Sequence, residues 1–228
     1  MPTLERHDDV FVLDLGDTEN RFHPDWLTAV GAALDEVEGS DGPRALVTTA
    51  TGKFFSNGLD LDWLGQNQDQ IDDYVASVHG LFAKFLAAPM VTVAAIQGHA
   101  FAAGAMLTLA HDWRVMRADR GFWCLPEADI FIPFAHGMNA LIMSKLTPQA
   151  QTNAMVTAQR FGGDAAQEAG IVDSTQPESL VVSQAVEMAA AQAGKDGGTL
   201  GTIKKRMYEP VLEALHDRER NKLVVPSA

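Results

Sequence analysis

The sequence predicts an α/β fold in which parallel strands and helical crossovers make the core and a helical region follows. Three observations predict it. Short apolar or β-branched runs (Val10 to Leu15, Ala45 to Ala50, Val91 to Ile96) alternate with longer stretches of helical period. VTVAAI, from Val91, is close to continuously apolar, the pattern of a strand buried on both faces. From Leu141 onward the pattern is helical, punctuated by Pro148, Gly162-Gly163 and the loop from Lys195 to Gly198.

Taken in order, VFVLDL from Val10 alternates toward a strand. Asp25 to Val37 then sets Trp26, Leu27, Val30, Ala33, Leu34 and Val37 near one helical face. ALVTTA from Ala45 is the next strand, and TGKFFSNGLDLDWL places Gly52 and an Asn57-Gly58 pair before a helix. A helix over Gln70 to Ala87 ends before Pro89, and the Val91 strand leads into GHAFAAGAML, read as a Gly-His turn and a helix start of Ala and Gly. Trp113 to Met116 is a further strand, and Ala128 to Phe131 is expected to be another. The strands and crossovers fill 1–172, and 173–228 forms the helical C-terminal region.

Composition narrows the function. At 228 residues and 46% hydrophobic the chain can bury one sizeable core. A net charge of −13 argues against nucleic acid, whose phosphates need a basic footprint. One cysteine, Cys124, makes no internal disulfide and reads as a small buried hydrophobe in a reducing, cytoplasmic setting. No Cys/His cluster has metal-ligand spacing, so no metal is expected. The first residues lack a signal-peptide pattern, and Gln97, Gly98 and His99 interrupt the apolar stretch from Met90 to Trp113, so no membrane partner is expected. The fingerprints of dinucleotide, P-loop, α/β-hydrolase and zincin enzymes are absent.

Chemistry is sought at the strand-to-helix turns, because ligands of parallel sheets gather at the carboxyl ends of strands. SNGLDL and GHAFAAGAML are two such turns. Their Ala and Gly residues fit close packing of helix on sheet; they fit equally a pair of unpartnered backbone N–H groups facing one oxygen, with small residues giving access. Glu127, in GFWCLPEADIFIPF, is flanked by apolar residues that would raise its pKa toward that of a useful base if they bury it; at an exposed terminus it would be ordinary, and Asp129 is the local competitor. His99, in a tight turn, is expected to bond backbone. His111 and Asp112 are adjacent on a helix and so do not face each other. Lys204, Lys205 and Arg206 read as a solvated basic face, or as positive charge for a phosphorylated ligand.

The stretch AAIQGHAFAAGAMLTLAHDWRVM resembles the signature of the enoyl-CoA hydratase/isomerase (crotonase) superfamily, and FFSNGLDLDWL resembles its F-x-x-G-x-D-L loop. The resemblance runs from about Phe11 to Val172. It implies a crotonase-like spiral of ββα repeats with a helical C-terminal region, a homotrimer or hexamer, and an acyl-CoA substrate whose coenzyme A is no separate cofactor. Carried onto this chain, it assigns the oxyanion-hole N–H groups to Leu59 and Ala103. Coenzyme A would lie along Asn57, Leu59 and Leu61 and near Asn20 and Arg21, with Lys204 and Lys205 toward its phosphates.

Family hydratases use two glutamates. Met106 stands at the first position, and Pro126-Glu127 supplies the second. A single base that takes a proton and returns it to another carbon suffices to move a double bond. The chain thus resembles the Δ3,Δ2-enoyl-CoA isomerases, and AHDWRVMRADRGFWCLPEADI resembles the plant peroxisomal members, although the chain ends VVPSA without a Ser-Lys-Leu signal. Two other readings stay open: a hydratase-like or other thioester-processing member that recruits Asp129 or His136 beside Glu127, and a non-catalytic acyl-CoA-binding subunit.

Overall fold

The computed structural model describes residues 1–222; the VVPSA ending and the rest of 223–228 lie outside the described residues. The chain opens with a hairpin, β1 (Thr3–His7) antiparallel to β2 (Val10–Asp14), turned at Asp8. β1 is an addition to the predicted elements, since its polar, exposed side chains carry no strand pattern. Pro24 starts α1 (Pro24–Gly39), where a missing N–H costs nothing, and the expected face of Trp26, Leu27, Val30, Leu34 and Val37 is buried.

The chain then repeats one plan. A strand of the large sheet leads to a short strand of a second sheet and then to a helix. β3 (Ala45–Thr49) is followed by β4 (Phe54–Ser56), α2 (Leu61–Gln66) and α3 (Ile71–Ala87). β5 (Val91–Ile96) is followed by β6 (His99–Phe101) and α4 (Ala103–Ala110). β7 (Trp113–Arg117) is followed by β8 (Trp123–Cys124) and one 3-10 turn, Pro126–Ala128. The large sheet has the order β1-β2-β3-β5-β7-β9, where β9 is Ser174–Gln176, and the small one β4-β6-β8. Apart from the hairpin, the strands of both sheets pair in parallel among the described residues, and a single antiparallel bridge joins Trp123 of β8 to Phe161. This is the expected spiral of ββα units.

Two expectations are corrected. GHAF was read as a turn, but His99–Phe101 is a strand between β4 and β8. Ala128 to Phe131 is not a strand. The Asp129 and Ile130 N–H groups both donate back to the Pro126 carbonyl, at 2.9 and 3.1 Å, which coils the segment, and Phe131 sits at φ +61°.

After the 3-10 turn come α5 (His136–Lys145), α6 (Pro148–Gln151) running into a π-helical turn, and α7 (Gly163–Glu168). The region after 172 opens with strand β9 and is not wholly helical; α8 (Glu178–Ala190), α9 (Gly197–Met207) and α10 (Glu209–His216) follow. α8 covers one face of the large sheet, setting Val181, Ala185 and Ala189 on Val47, Val93 and Val115. The opposite face, with Leu46, Ala94, Ile96 and Met116, meets α1, α3 and α4. Burial on both faces accounts for the unbroken apolarity of VTVAAI.

The small sheet positions the site. Because β4 and β6 are parallel neighbours, the turns at their carboxyl ends emerge side by side. α4 starts against β4 so closely that a Cβ on Gly104 would stand 2.4 Å from the Ser56 carbonyl oxygen. Gly104→Ala is therefore expected to lower stability by about 2 kcal/mol, read by urea unfolding, despite alanine's better helix propensity. Wild-type stability in this variant would mean that α4 can move off β4 at no cost.

Candidate active site

The first turn is built by pinning every group except one. Gly58, at φ +81°, donates its N–H to Ser56 Oγ at 3.1 Å, and its carbonyl accepts the Phe22 N–H at 2.8 Å. Asp60 caps α2, its Oδ1 accepting the Trp63 N–H at 3.1 Å, while its own N–H donates to the Tyr74 hydroxyl oxygen at 3.0 Å. In a trans peptide C=O and N–H point opposite ways, so anchoring the Gly58 carbonyl on Phe22 turns the Leu59 N–H the other way.

At the second turn the Ala102 carbonyl accepts the Met106 N–H at 3.0 Å, which sends the Ala103 N–H out of the start of α4. Ala102 holds φ 51° and ψ −127°, a strained conformation for a residue with a side chain, and its N–H is tied to the Cys124 carbonyl at 3.0 Å. The turns touch: a Cβ on Gly58 would stand 2.9 Å from the Ala103 nitrogen. Among the described residues neither the Leu59 nor the Ala103 N–H has a protein acceptor.

Both residues line a cavity of about 330 Å³ together with Glu127, Met106, Asn57, Leu61 and Arg21. Glu127 projects from the 3-10 turn, 7% exposed, with Oε2 buried and without a partner among the described residues. Burial pushes its carboxyl up to about 8. Met106, Ile132, Phe134 and Met138 line the same cavity. Asp62, at the rim, is the cavity's other carboxylate and is held by Arg21 at 2.6 Å; Arg21 also binds Glu19 at 2.6 Å.

Seven of the expected site residues are thus brought together, and three are not. Asn20 is buried away from the cavity; its side-chain amide donates to the Gly16, Phe54 and Phe55 carbonyls and its own carbonyl accepts from Ser56 Oγ. It holds β4 in place. Lys204 is corrected from a phosphate ligand to a structural cation: buried, it donates to Asp112 at 2.6 Å and to the Met90 carbonyl at 2.8 Å. Lys205 lines a different depression, with Glu38 and His216.

The other candidates follow their blander readings. His99 Nδ1 accepts the Phe122 N–H. His111 donates from Nδ1 to the Leu107 carbonyl and accepts the Thr48 hydroxyl at Nε2, and burial lowers it to about 3. Burial raises the Cys124 thiol to about 11. Asp129 and His136 do not line the cavity. Phe101, Pro133 and Met138 line it without having been singled out; for Met138, two residues into α5, the sequence carries no signal.

The profile of the enoyl-CoA hydratase/isomerase family matches residues 5–222. The chain belongs to that family. Enoyl-CoA delta isomerase 3 of Arabidopsis thaliana is 36% identical, with 98% of each chain covered. Enoyl-CoA delta isomerase 2, peroxisomal, of the same plant is 37% identical over 91% of this chain and 92% of its own. Among solved structures, the apo enoyl-CoA isomerase of Mycobacterium tuberculosis is 29% identical, with TM-score 0.87 and 95% of each chain covered. This family member has the crotonase fold, and among the described residues no helix is long and apolar enough to cross a membrane.

Two outcomes follow. Lys204→Met keeps the buried stem but strands Asp112, so it is expected to cost about 3 kcal/mol in urea unfolding while leaving the KM for acyl-CoA unchanged; a raised KM at wild-type stability would restore the phosphate role. The folded Glu127 carboxyl titrates near 8 against an ordinary value of 4.5. Its folded state binds the proton more tightly, so its contribution is fully present below 4.5 and is lost as pH rises toward 8. Glu127→Gln should therefore gain stability relative to wild type across that window, and a difference constant with pH would contradict the buried carboxyl.

Proposed function

We propose that this family member shifts the double bond of a 3-enoyl-CoA to give the 2-trans-enoyl-CoA. The carrying observation is that, among the described residues, Glu127 is the only interior carboxylate of a cavity that also holds the unpartnered N–H groups of Leu59 and Ala103. The ionised Glu127 takes a proton from C2, electrons move onto the thioester oxygen, and the two N–H groups hold the resulting enolate. The double bond then forms between C2 and C3 as the protonated Glu127 delivers the same proton to C4. Atoms and charge balance without a cofactor or water. Each oxyanion donor in such a pair is worth about 2.7 to 4 kcal/mol in the transition state.

Met106 supports isomerisation over hydration. A second carboxylate at that place would orient water; a buried thioether one turn into α4 leaves Glu127 alone in apolar surroundings. Asp129 and His136, the residues a hydratase would have to recruit, stand outside the cavity. The unpartnered carboxyl argues against a mere binding subunit, because burying it costs stability that binding alone would not require. Names of relatives, the delta isomerases, agree. Arg21 and Asn57 at the rim are the polar groups offered to coenzyme A. The homotrimer or hexamer rests on the resemblance, and the reducing setting on the buried thiol of Cys124; two relatives are named peroxisomal.

Isomerisation of 3-enoyl-CoA, followed in a coupled assay, is expected to fall roughly 100- to 10,000-fold in Glu127→Gln. In wild type kcat/KM should rise with pH through about 8, since the base acts only when ionised. Near-wild-type activity in the Gln variant removes Glu127 as the base, and accumulation of a water adduct from 2-enoyl-CoA replaces isomerisation by hydration.

A further inference from the structure

We infer that Tyr74, on α3 and outside the reacting cavity, is a positioning residue for the oxyanion hole: its hydroxyl oxygen takes the Asp60 N–H and so leaves the Leu59 N–H as the donor presented to the thioester. The inference rests on the proposed isomerisation and deepens it. The turn after Gly58 offers two consecutive N–H groups, those of Leu59 and Asp60, ahead of α2. A hole needs one of them, at one angle, and backbone rotation about Leu59 would exchange or splay them. The upstream peptide is held by the Phe22 N–H on the Gly58 carbonyl at 2.8 Å. The downstream peptide is held by the Tyr74 hydroxyl on the Asp60 N–H at 3.0 Å. With both flanking peptides fixed, the Leu59 N–H has a single direction.

Tyr74 is built to stay where that bond requires. It is 3% exposed, fixed in the long helix α3, and stacked on Trp63 of α2 with ring centroids 5.3 Å apart and planes 26° apart. Burial pushes its phenol above the usual range, so the hydroxyl remains neutral over the working pH. Trp63 donates its own N–H to Asp60 Oδ1. Tyr74, Trp63 and Asp60 thus lock the start of α2.

Tyr74→Phe keeps the ring, the stack and the burial, and removes only the acceptor. For 3-enoyl-CoA we expect kcat to fall on the order of tenfold or more with KM within about twofold, because misaligning a transition-state donor costs rate without ground-state affinity. The carbonyl infrared band of a bound, isotopically labelled saturated acyl-CoA reads the hole without turnover: shifted to lower frequency in wild type, and less so in Tyr74→Phe. A wild-type kcat in the variant, or a raised KM at unchanged kcat, or an undiminished carbonyl shift, overturns the positioning role alone. No carbonyl shift in wild type overturns the oxyanion hole itself and this inference with it, and a loss in Tyr74→Phe that merely tracks lost thermal stability assigns Tyr74 to the fold only.

Discussion

The close approach of two backbone turns, Gly58-Leu59 and Ala102-Ala103, is the constraint from which the rest follows. Parallel neighbours β4 and β6 bring them abreast, and the contacts at Gly58 and Gly104 leave no room for a side chain between them. Such an arrangement is costly by itself. It leaves backbone donors without acceptors, each worth about 1 to 3 kcal/mol when buried, and it holds Ala102 in a strained conformation. The offset comes from packing. All eight residues of α4 are buried, with Met106, Leu107 and Leu109 in the main core. The helix that carries the unpartnered donor is thus among the most tightly held parts of the molecule, so the donor direction is set by the core and not by a loop.

Buried charge divides in the same way. Lys204 has Asp112, and Arg114 has Asp173 at 3.3 Å and the Ile171 carbonyl at 2.6 Å; these pairs tie α9 and the approach to β9 onto the sheet. Lys145 lacks a carboxylate but donates to the Tyr208 hydroxyl and the His111 carbonyl, and burial brings it down to about 8. Among the described residues Glu127 is the only carboxylate with a buried oxygen that has neither a cation nor a donor. A paired buried charge is a fastening, because removing either partner strands the other. An unpaired carboxyl that neutralises itself by a raised pKa fits the proton transfer proposed for Glu127.

What was legible in the sequence follows the length of each signal. α1, α3 and the strands β2, β3, β5 and β7 show their period over enough residues to stand out. β4, β6, β8 and β9 are two or three residues long, so a period of two has nothing to repeat: β4 and β6 were absorbed into turns and β9 into the helical C-terminal region. The cavity's main residues were legible because Glu127, Leu59 and Ala103 belong to local motifs. Lys204 was not: its partner Asp112 lies 92 positions away, and a run of basic residues looks the same whether one member is buried or none is. Asn20 was placed near coenzyme A by the resemblance, but its amide closes the carbonyls of Gly16 after β2 and of Phe54 and Phe55 in β4. Tyr74 had no motif at all.

A base that moves a proton from C2 to C4 must reach both carbons without a solvent relay, which asks for an acyl chain bent around a dry carboxyl. The cavity is graded to suit. Its rim carries Arg21, Asp62 and Asn57, joined through Glu19, whereas the interior beyond Leu59 is walled by Met106, Ile132, Phe134 and Met138. A ligand with a charged, polar half and an apolar half is oriented by that gradient before any specific bond forms. The same apolar wall raises the affinity of Glu127 for its proton. Under the proposed isomerisation, desolvation would do two jobs with one set of side chains: strengthen the base and withhold the water that would turn an isomerisation into a hydration. A glutamate in place of Met106 would undo both at once, since a second interior carboxyl draws in water and a competing charge.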